Sequence, residues 1–117
     1  MYLREAHALD SAWPMHETGL PPIEEPKSFE DRRNAASSCM KTLDLAPIPC
    51  LIDGLDNAVG QAYEAWPDRL YVIDAEGRIA FRGGPGPFGF DVDACESALR
   101  RELGLPADPD PTRPKAP

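Results

Sequence analysis

Short strand-like runs alternate with helix-like segments along most of this 117-residue chain. The runs carry apolar residues in alternation or in unbroken stretches, whereas the segments between them carry apolar residues at helical spacing. In chain order the pattern predicts a strand at 2–5, a helix at 28–43, a strand at 50–52, a helix at 58–65, strands at 70–73 and 78–82, and a helix at 92–103. Strands that alternate with helices and close in a hairpin indicate an α/β layered sheet.

Local signals mark where several of these elements begin and end. Ser28, with Asp31 three residues later, resembles a capping box with aspartate in the acidic place, and it opens the first helix. The glycine-bearing turn 74–77 predicts the hairpin, and Gly104 stands where a glycine cap ends the last helix. Helical spacing puts Phe29 and Ala36 on the apolar face of the first helix, where Arg32 is the polar exception. The run at 50–52 predicts a buried strand, and Trp66, after the second helix, is expected to point inward.

The charge balance argues against two classes of partner. Twelve lysines and arginines against twenty aspartates and glutamates give a net charge of -8. Nucleic acids and anionic membrane surfaces attract clustered basic residues, so neither is an expected partner. The sequence shows no apolar run near the ~20 residues of a membrane span, and residues 1–10 are too charged for a signal peptide. We therefore expect a cytoplasmic protein.

The cysteines predict neither a disulfide framework nor a metal site. Cys39, Cys50 and Cys95 are odd in number and widely spaced, and the sequence has no CxxC pair and no Cys/His cluster of zinc spacing. Their simplest interpretation is reduced thiols in a reducing compartment. We predict no metal and no cofactor.

A single domain at 1–104 contains every predicted element. The loop at 9–27 is rich in proline and long for a compact domain, and such loops are often functional or mobile. Residues 105–117 form a proline-rich tail, with five prolines in its last twelve residues, and this composition predicts disorder.

Three stretches of the sequence resemble the iodothyronine deiodinase family and its bacterial relatives. They are YLREAH at 2–7 with Asp10 and Trp13 after it, SFEDR at 28–32, and a final block made of 53–63, RLYVI at 69–73 and GGPGPFGF at 83–90. The EAH element alone has little specificity. Together with the other two stretches at matching separations, it gives a specific resemblance over residues 2–103.

The resemblance implies a thioredoxin-like, peroxiredoxin-related sheet flanked by helices. The family removes iodine reductively from the aromatic rings of thyroid hormones, with a selenocysteine or, in some relatives, a cysteine as nucleophile. Cys39, Cys50 and Cys95 do not match that position. The resemblance thus implies that the nucleophile-bearing strand and the first helix lie upstream of Met1, leaving the domain incomplete at its N-terminus. A selenocysteine codon read as a stop would explain such a start.

The resemblance marks two residues as catalytic. His7 matches the histidine of the EAH element, thought to donate a proton or to orient the substrate hydroxyl, and histidine can supply a proton at neutral pH. It lies at the C-terminal end of the first strand, where open α/β sheets place their sites. Asp68 falls where the family usually has glutamate, and the shorter acid could keep an electrostatic role. The alternatives are a histidine that only hydrogen-bonds its neighbours and an exposed acid paired with Arg69.

Two positions depart from the vertebrate members of the family. A second family histidine corresponds to Pro26, and we do not transfer its role to His16. Pro85 stands where some members carry an arginine proposed to bind the hormone carboxylate, which requires guanidinium geometry. Thyroid hormone is therefore not the expected natural substrate.

We explain the glycines of the loop 83–90 by backbone shape, since glycine allows positive φ. Pro67 lies near the place of the thioredoxin cis-proline but is not assigned to it.

The predicted function is that of a deiodinase-like oxidoreductase domain, performing reductive dehalogenation or related selenol or thiol redox chemistry, whose catalytic segment is missing from this chain. The expected partners are a small molecule such as a halogenated aromatic compound, a thiol reductant, and a second copy in a homodimer. Two alternatives remain open: a non-catalytic thioredoxin-like binding module and a remnant without function.

Overall fold

The computed structural model describes residues 1–12, 14 and 22–107. Its elements are α1 (Phe29–Thr42), α2 (Ala58–Ala62), β1 (Tyr71–Ile73), β2 (Ile79–Arg82) and α3 (Val92–Glu102). β1 and β2 form a two-stranded antiparallel sheet, so this is a small α/β protein, as predicted. Trp13, His16 and the tail from residue 108 lie outside the described residues. Within the described ranges, no helix is both long and apolar enough to cross a bilayer.

The chain forms two compact units, Met1–Pro67 and Asp68–Pro117. The first contains α1 and α2, and the second contains the hairpin and α3. The buried apolar residues among those described are mostly small: Ala8, Pro26, Ala36, Val72 and Ala98. Each unit therefore has only a small apolar core.

α1 begins as its capping signal predicts. The Ser28 hydroxyl accepts a hydrogen bond from the Asp31 N–H at 3.0 Å, and the Asp31 carboxylate accepts one from the Ser28 N–H at 3.1 Å. The predicted apolar face is partly wrong, because Phe29 is exposed whereas Arg32 and Ala36 are buried. A guanidinium can occupy the interior only where it finds hydrogen-bond acceptors, and the first unit supplies them.

The predicted strands at 2–5 and 50–52 are reduced to a single parallel bridge between Tyr2 and Ile52. The Tyr2 N–H donates to Leu51 O at 2.7 Å, yet the Leu51 side chain is 65% exposed. The expectation of a buried strand at 50–52 is therefore wrong. That run is only three residues long and follows a proline, which has no N–H to extend a ladder.

α2 is shorter than predicted. Asn57 is its N-cap in the left-handed conformation, with φ 56°, and the helix ends at Ala62 instead of about Ala65. The backbone becomes left-handed again at Glu64, with φ 47°, and a right-handed helix cannot continue through such a residue. Trp66, expected to point inward, is exposed.

The predicted hairpin is confirmed. β1 and β2 pair antiparallel with Val72 opposite Phe81. In the turn, the Asp74 carboxylate accepts a hydrogen bond from the Arg78 N–H at 2.8 Å. Gly77 takes φ 83°, a conformation that glycine adopts without steric cost.

α3 contacts both strands of the hairpin, and its ends are capped as predicted. The Asp91 carboxylate accepts a backbone N–H of the first turn at 2.9 Å, and Gly104 follows the helix with φ 64°. Leu99 and Leu103 are exposed, whereas Ala98 is buried. A two-stranded sheet offers too little surface to cover the larger side chains.

Candidate functional site

His7 lies on an exposed bend of the first unit, after the bridge made by Tyr2. Its side chain is exposed, whereas the next residue, Ala8, is fully buried. The Leu9 N–H donates to Ile23 O at 2.9 Å, which ties the chain after His7 to the segment before α1. The predicted site residue therefore stands at the surface on an anchored backbone.

Glu5, two residues before His7, is half-buried and accepts a hydrogen bond from the Tyr2 hydroxyl. Burial raises the pKa of Glu5 above its ordinary value, and the neighbouring Glu25 carboxylate adds to the rise. The positive charges of Arg32 and of protonated His7 oppose it. Glu5 thus takes up a proton more readily than a free glutamate and interacts electrostatically with His7.

Glu25 connects the His7 segment to α1. Its Oε2 accepts a hydrogen bond from the Glu5 backbone N–H at 3.1 Å, and its Oε1 lies 3.3 Å from Nη2 of Arg32 in an ion pair. The Glu25 N–H donates to Oδ1 of Asp10 at 2.8 Å. No sequence pattern predicted this role, because Glu25 lies in the proline-rich loop where hydrophobic periodicity is absent.

Arg32 places a guanidinium in the interior of the first unit, where the residue is 1% exposed. Its Nη1 donates to Gly54 O at 2.7 Å and to Oδ1 of Asn57 at 3.0 Å, and it lies 3.4 Å from Asp53 O. Its Nε has no hydrogen-bond partner among the described residues. A buried charge requires pairing and hydrogen bonds, and Glu25 supplies the pairing charge. The sequence signal was the position of Arg32 on an apolar helix face.

Asp53 is the second buried charge of this unit and is also 1% exposed. Its carboxylate oxygens accept hydrogen bonds from the Val59 N–H at 3.1 Å and the Gly60 N–H at 2.7 Å. Burial by itself would raise the pKa of Asp53. The N–H donors, including that of Gly54, and the charge of Arg32 outweigh burial and lower the pKa below its ordinary value.

Replacing Asp53 by asparagine is expected to cost about 1–3 kcal/mol at neutral pH, because an NH₂ donor replaces one of the two carboxylate oxygens that accept these hydrogen bonds, and the charge is lost. Folding lowers the Asp53 pKa, so the stability it contributes is present above the unfolded-state value of ~3.9 and disappears as the pH falls through the folded-state value. In thermal unfolding, the Tm of Asp53→Asn should lie below that of the parent at neutral pH, and this difference in Tm should disappear in acid. A difference independent of pH would contradict an ionised Asp53. Glu24→Gln, at an exposed carboxylate, is the control.

Asp68 begins the second unit and lies against the loop 83–90. Its backbone carbonyl accepts a hydrogen bond from the Gly86 N–H at 3.2 Å, and its carboxylate occupies the space into which a Cβ on Gly86 would project. The neighbouring Arg69 donates from Nη1 to Gly83 O at 2.8 Å. Residues 68 and 69 thus hold the loop from one side.

The loop 83–90 closes tightly on itself. A Cβ on Gly84 would stand 2.9 Å from the Gly89 Cα, and a Cβ on Gly89 would stand 2.7 Å from Pro85 O. None of these glycines has positive φ, so the expectation about their conformation is wrong, and close backbone approach is what requires glycine here. The Phe88 ring in this loop is fully exposed.

Gly86→Ala is expected to displace the Asp68 carboxylate, because the new Cβ would stand 2.6 Å from the Asp68 Cγ. Asp68 is exposed and can rotate away, so the stability change should stay within about 0.5 kcal/mol. If Asp68 acts from this position, Gly86→Ala should reduce turnover as much as Asp68→Ala does. Turnover would be measured in a longer protein that carries a nucleophile, with Pro85→Ala as the control. Parental turnover in Gly86→Ala would remove Asp68 from the site.

The three cysteines are free thiols. Burial raises the pKa of Cys39 and of Cys95. At Cys39, the charges of the Glu5 carboxylate and the Cys50 thiolate raise the pKa further. An activated nucleophilic thiol has a lowered pKa, so Cys39 and Cys95 lack that property. Cys50 lines an open pocket of about 500 Å³ together with residues of α1.

The first unit brings His7 together with an interacting carboxyl, Glu5, whose backbone is held by Glu25. An exposed histidine beside a carboxyl can transfer a proton to a bound molecule. Asp68 belongs to the second unit and is held there by the loop 83–90. Among the described residues, no group of three His, Cys, Asp or Glu side chains is arranged to hold a metal ion.

The sequence model of a family described as iodothyronine deiodinase matches residues 1–103. The chain is 31% identical over 102 residues to type I iodothyronine deiodinase of Xenopus laevis, covering 87% of this chain and 38% of that protein. Its identity to thyroxine 5-deiodinase is 33% over 106 residues in Sparus aurata and 34% over 103 residues in Sus scrofa. Those alignments each cover 86% of this chain, and 36% and 32% of the relatives. The chain thus spans about a third of its relatives' length, and across nearly all of its own length it belongs to the iodothyronine deiodinase family.

Proposed function

We propose that this chain carries the proton-transferring part of a deiodinase-type reductive oxidoreductase. The observation that carries this proposal is the family match over residues 1–103, which takes in both the His7 segment and the Asp68 loop. The proposed fold of the whole domain is a thioredoxin-like sheet.

The proposed nucleophile is a selenol or thiol on a strand-and-helix segment outside these 117 residues. The resemblance gives that position to none of Cys39, Cys50 and Cys95, and burial raises the pKa of the first and the last of them. The relatives extend well beyond the aligned region, because this chain covers 38% or less of each one described above. A longer protein therefore has room for such a segment.

His7 is proposed to give a proton to the aromatic carbon from which the halogen departs, or to orient a phenolic hydroxyl during that step. Overall, an aryl iodide and two thiols give the arene, iodide, a proton and a disulfide, so the thiols supply both electrons. A histidine suits this role because it exchanges its proton near neutral pH. Asp68 is proposed to act electrostatically from the second unit.

The proposed substrate is a small halogenated aromatic compound, and the proposed reductant is a thiol. Pro26 and Pro85 stand at the positions that the resemblance gives to a histidine and an arginine in vertebrate members. Proline has no side-chain donor, so neither residue can recognise the carboxylate of an amino-acid substrate. We therefore favour halogenated phenols over thyroid hormone.

The proposed location is the cytoplasm, and the proposed assembly is a homodimer. Free thiols at Cys39, Cys50 and Cys95 suit a reducing compartment. Many large apolar side chains are exposed among the described residues, Ile48 and Leu51 for example, and a second copy could cover some of them.

A second candidate function is a non-catalytic thioredoxin-like module that binds a partner. The observation that favours it is Phe88, whose ring is fully exposed in a tightly closed loop. Exposed aromatic residues on rigid elements often anchor protein interfaces. A remnant without function is the remaining alternative. Genomic sequence upstream of Met1 would distinguish these candidates, since only the enzyme requires an in-frame nucleophile.

The purified 117-residue chain is expected to release no iodide from an iodinated phenol above background. Dithiothreitol supplies the electrons, but covalent chemistry of this kind needs an activated selenolate or thiolate. The released iodide is measured with and without protein. Protein-dependent release that disappears when Cys50 is alkylated would show that the nucleophile lies within this chain.

A further inference from the structure

The carboxylate of Glu25 joins two parts of the first unit that are distant in sequence. One oxygen accepts a hydrogen bond from the Glu5 backbone N–H at 3.1 Å, and the other pairs with Nη2 of Arg32 at 3.3 Å. The Glu25 N–H donates to Asp10 at 2.8 Å. The segment around Glu25 therefore contacts the chain both before and after His7.

The Arg32 end of this connection is fixed. Arg32 is 1% exposed, and its Nη1 donates to Gly54 O at 2.7 Å and to Oδ1 of Asn57 at 3.0 Å. Because the guanidinium is planar, hydrogen bonds that hold Nη1 also fix the position of Nη2. The Nη2 donor that faces Glu25 is therefore held in one position.

The sheet does little to position His7. A single bridge at Tyr2 links this segment to Ile52, and the His7 side chain is exposed. Beyond the bridge, the backbone is held at Glu5 by the Glu25 carboxylate and at Leu9 by Ile23 O at 2.9 Å. The contact at Leu9 joins two backbone groups. The contact at Glu5 is made by the Glu25 side chain, which is also paired with the buried charge of Arg32.

We infer that Arg32 and Glu25 are positioning residues for His7, with Arg32 fixing the Glu25 carboxylate and that carboxylate fixing the backbone two residues before His7. This inference rests on the proposed function for its importance in catalysis. The positioning itself can be measured without turnover. Neither residue touches the substrate in this scheme.

The test is NMR spectroscopy of the chain in a His16→Gln background, which leaves His7 as the one histidine of the sequence. The variants are Glu25→Gln, which keeps the shape of the side chain, and Arg32→Lys, which keeps the charge but lacks the two terminal nitrogens of the planar guanidinium. The observed signals are the Glu5 amide proton, its exchange rate with water, and the His7 imidazole. Arg33→Lys and Glu30→Gln are the matched controls, because Arg33 and Glu30 form an exposed pair on the same helix.

Both variants are expected to move the Glu5 amide and His7 imidazole signals and to speed exchange at Glu5, whereas both controls leave them in place. The double variant should change these signals no more than the larger single change, because the two residues act through one contact. Arg32→Lys that lowers the Tm while leaving both signals unchanged would overturn the inference. So would Glu25→Gln that moves Glu5 but not His7. If Arg32→Lys does not fold, Glu25→Gln decides alone, since the Glu25 side chain is partly exposed.

A parental spectrum in both variants would refute the positioning, whatever the activity of the longer protein. Conversely, the expected shifts in a protein that never releases iodide would leave the positioning in place and refute the proposed function. The two failures are therefore distinguishable.

Discussion

Replacing His7 by alanine in a longer, nucleophile-bearing protein is expected to lower the rate of dehalogenation about 10²-fold or more, the usual scale of general acid–base assistance. The aromatic carbon must gain a proton as the halogen leaves, and the His7 side chain is exposed on an anchored backbone where a substrate could meet it. The measurement is iodide release from an iodinated phenol under saturating thiol. Circular dichroism checks that the variant keeps its fold.

His16→Ala is the matched control for this substitution, because it removes the other histidine of the chain. It should leave the rate near that of the parent. Asp68→Ala should cost less than His7→Ala, since an electrostatic contribution from a short, exposed acid is smaller than a lost proton donor. Turnover of His7→Ala within about twofold of the parent, far below the usual effect, would make His7 a structural residue.

Arg32→Ala is expected to reduce the free energy of unfolding by about 3 kcal/mol, because a buried residue loses its hydrogen bonds while the unpaired carboxylate left behind is partly exposed. The substitution deprives Glu25 of its partner and removes the donor to Gly54 O and Asn57. It also leaves a cavity at a position that is 1% exposed. Urea unfolding followed by far-UV circular dichroism gives the difference in free energy.

Arg33→Ala is the comparison, one residue along the same helix. Arg33 lies 3.9 Å from Glu30, and both side chains are largely exposed, so the loss should be about 0–1 kcal/mol. Equal losses in the two variants would contradict the buried network. A loss below about 1 kcal/mol for Arg32→Ala would do the same, because such a value is typical of surface pairs.

The elements that the sequence predicted well are those with local causes. The Ser28 cap needs only Asp31 three residues later, and the hairpin turn needs only Asp74 and Gly77. In both cases the donor and acceptor lie within a few residues of each other, so spacing along the chain suffices to identify them. The end of α3 at Gly104 has the same basis.

The buried charges of the first unit could not be predicted in this way. The acceptors of Arg32 lie at Glu25, Gly54 and Asn57, and no local spacing rule relates these residues. Arg32 was visible as a polar residue on an apolar face, but that pattern fits a solvent-facing arginine equally well. Its burial depends on where the loop after the Tyr2–Ile52 bridge lies, which is a tertiary fact.

Burial was predicted least well. Phe29 was expected on an apolar helix face, Leu51 in a buried strand and Trp66 inward, yet all three are exposed. Hydrophobic spacing shows which side chains can share a face, but it does not show whether another element covers that face. In the described residues the sheet has two strands, so there is little surface for those faces to meet.

The most direct test of the proposed function is iodide release by a longer protein in which these 117 residues follow the proposed nucleophile-bearing segment. Three forms are compared in dithiothreitol with an iodinated phenol: the parent, a variant with serine at the nucleophile, and the triple variant Cys39→Ser, Cys50→Ser, Cys95→Ser. We expect release by the parent and by the triple variant, and none by the serine variant. Release that survives serine at the nucleophile, or disappears in a folded triple variant, would contradict the proposal that the reacting atom lies outside this chain.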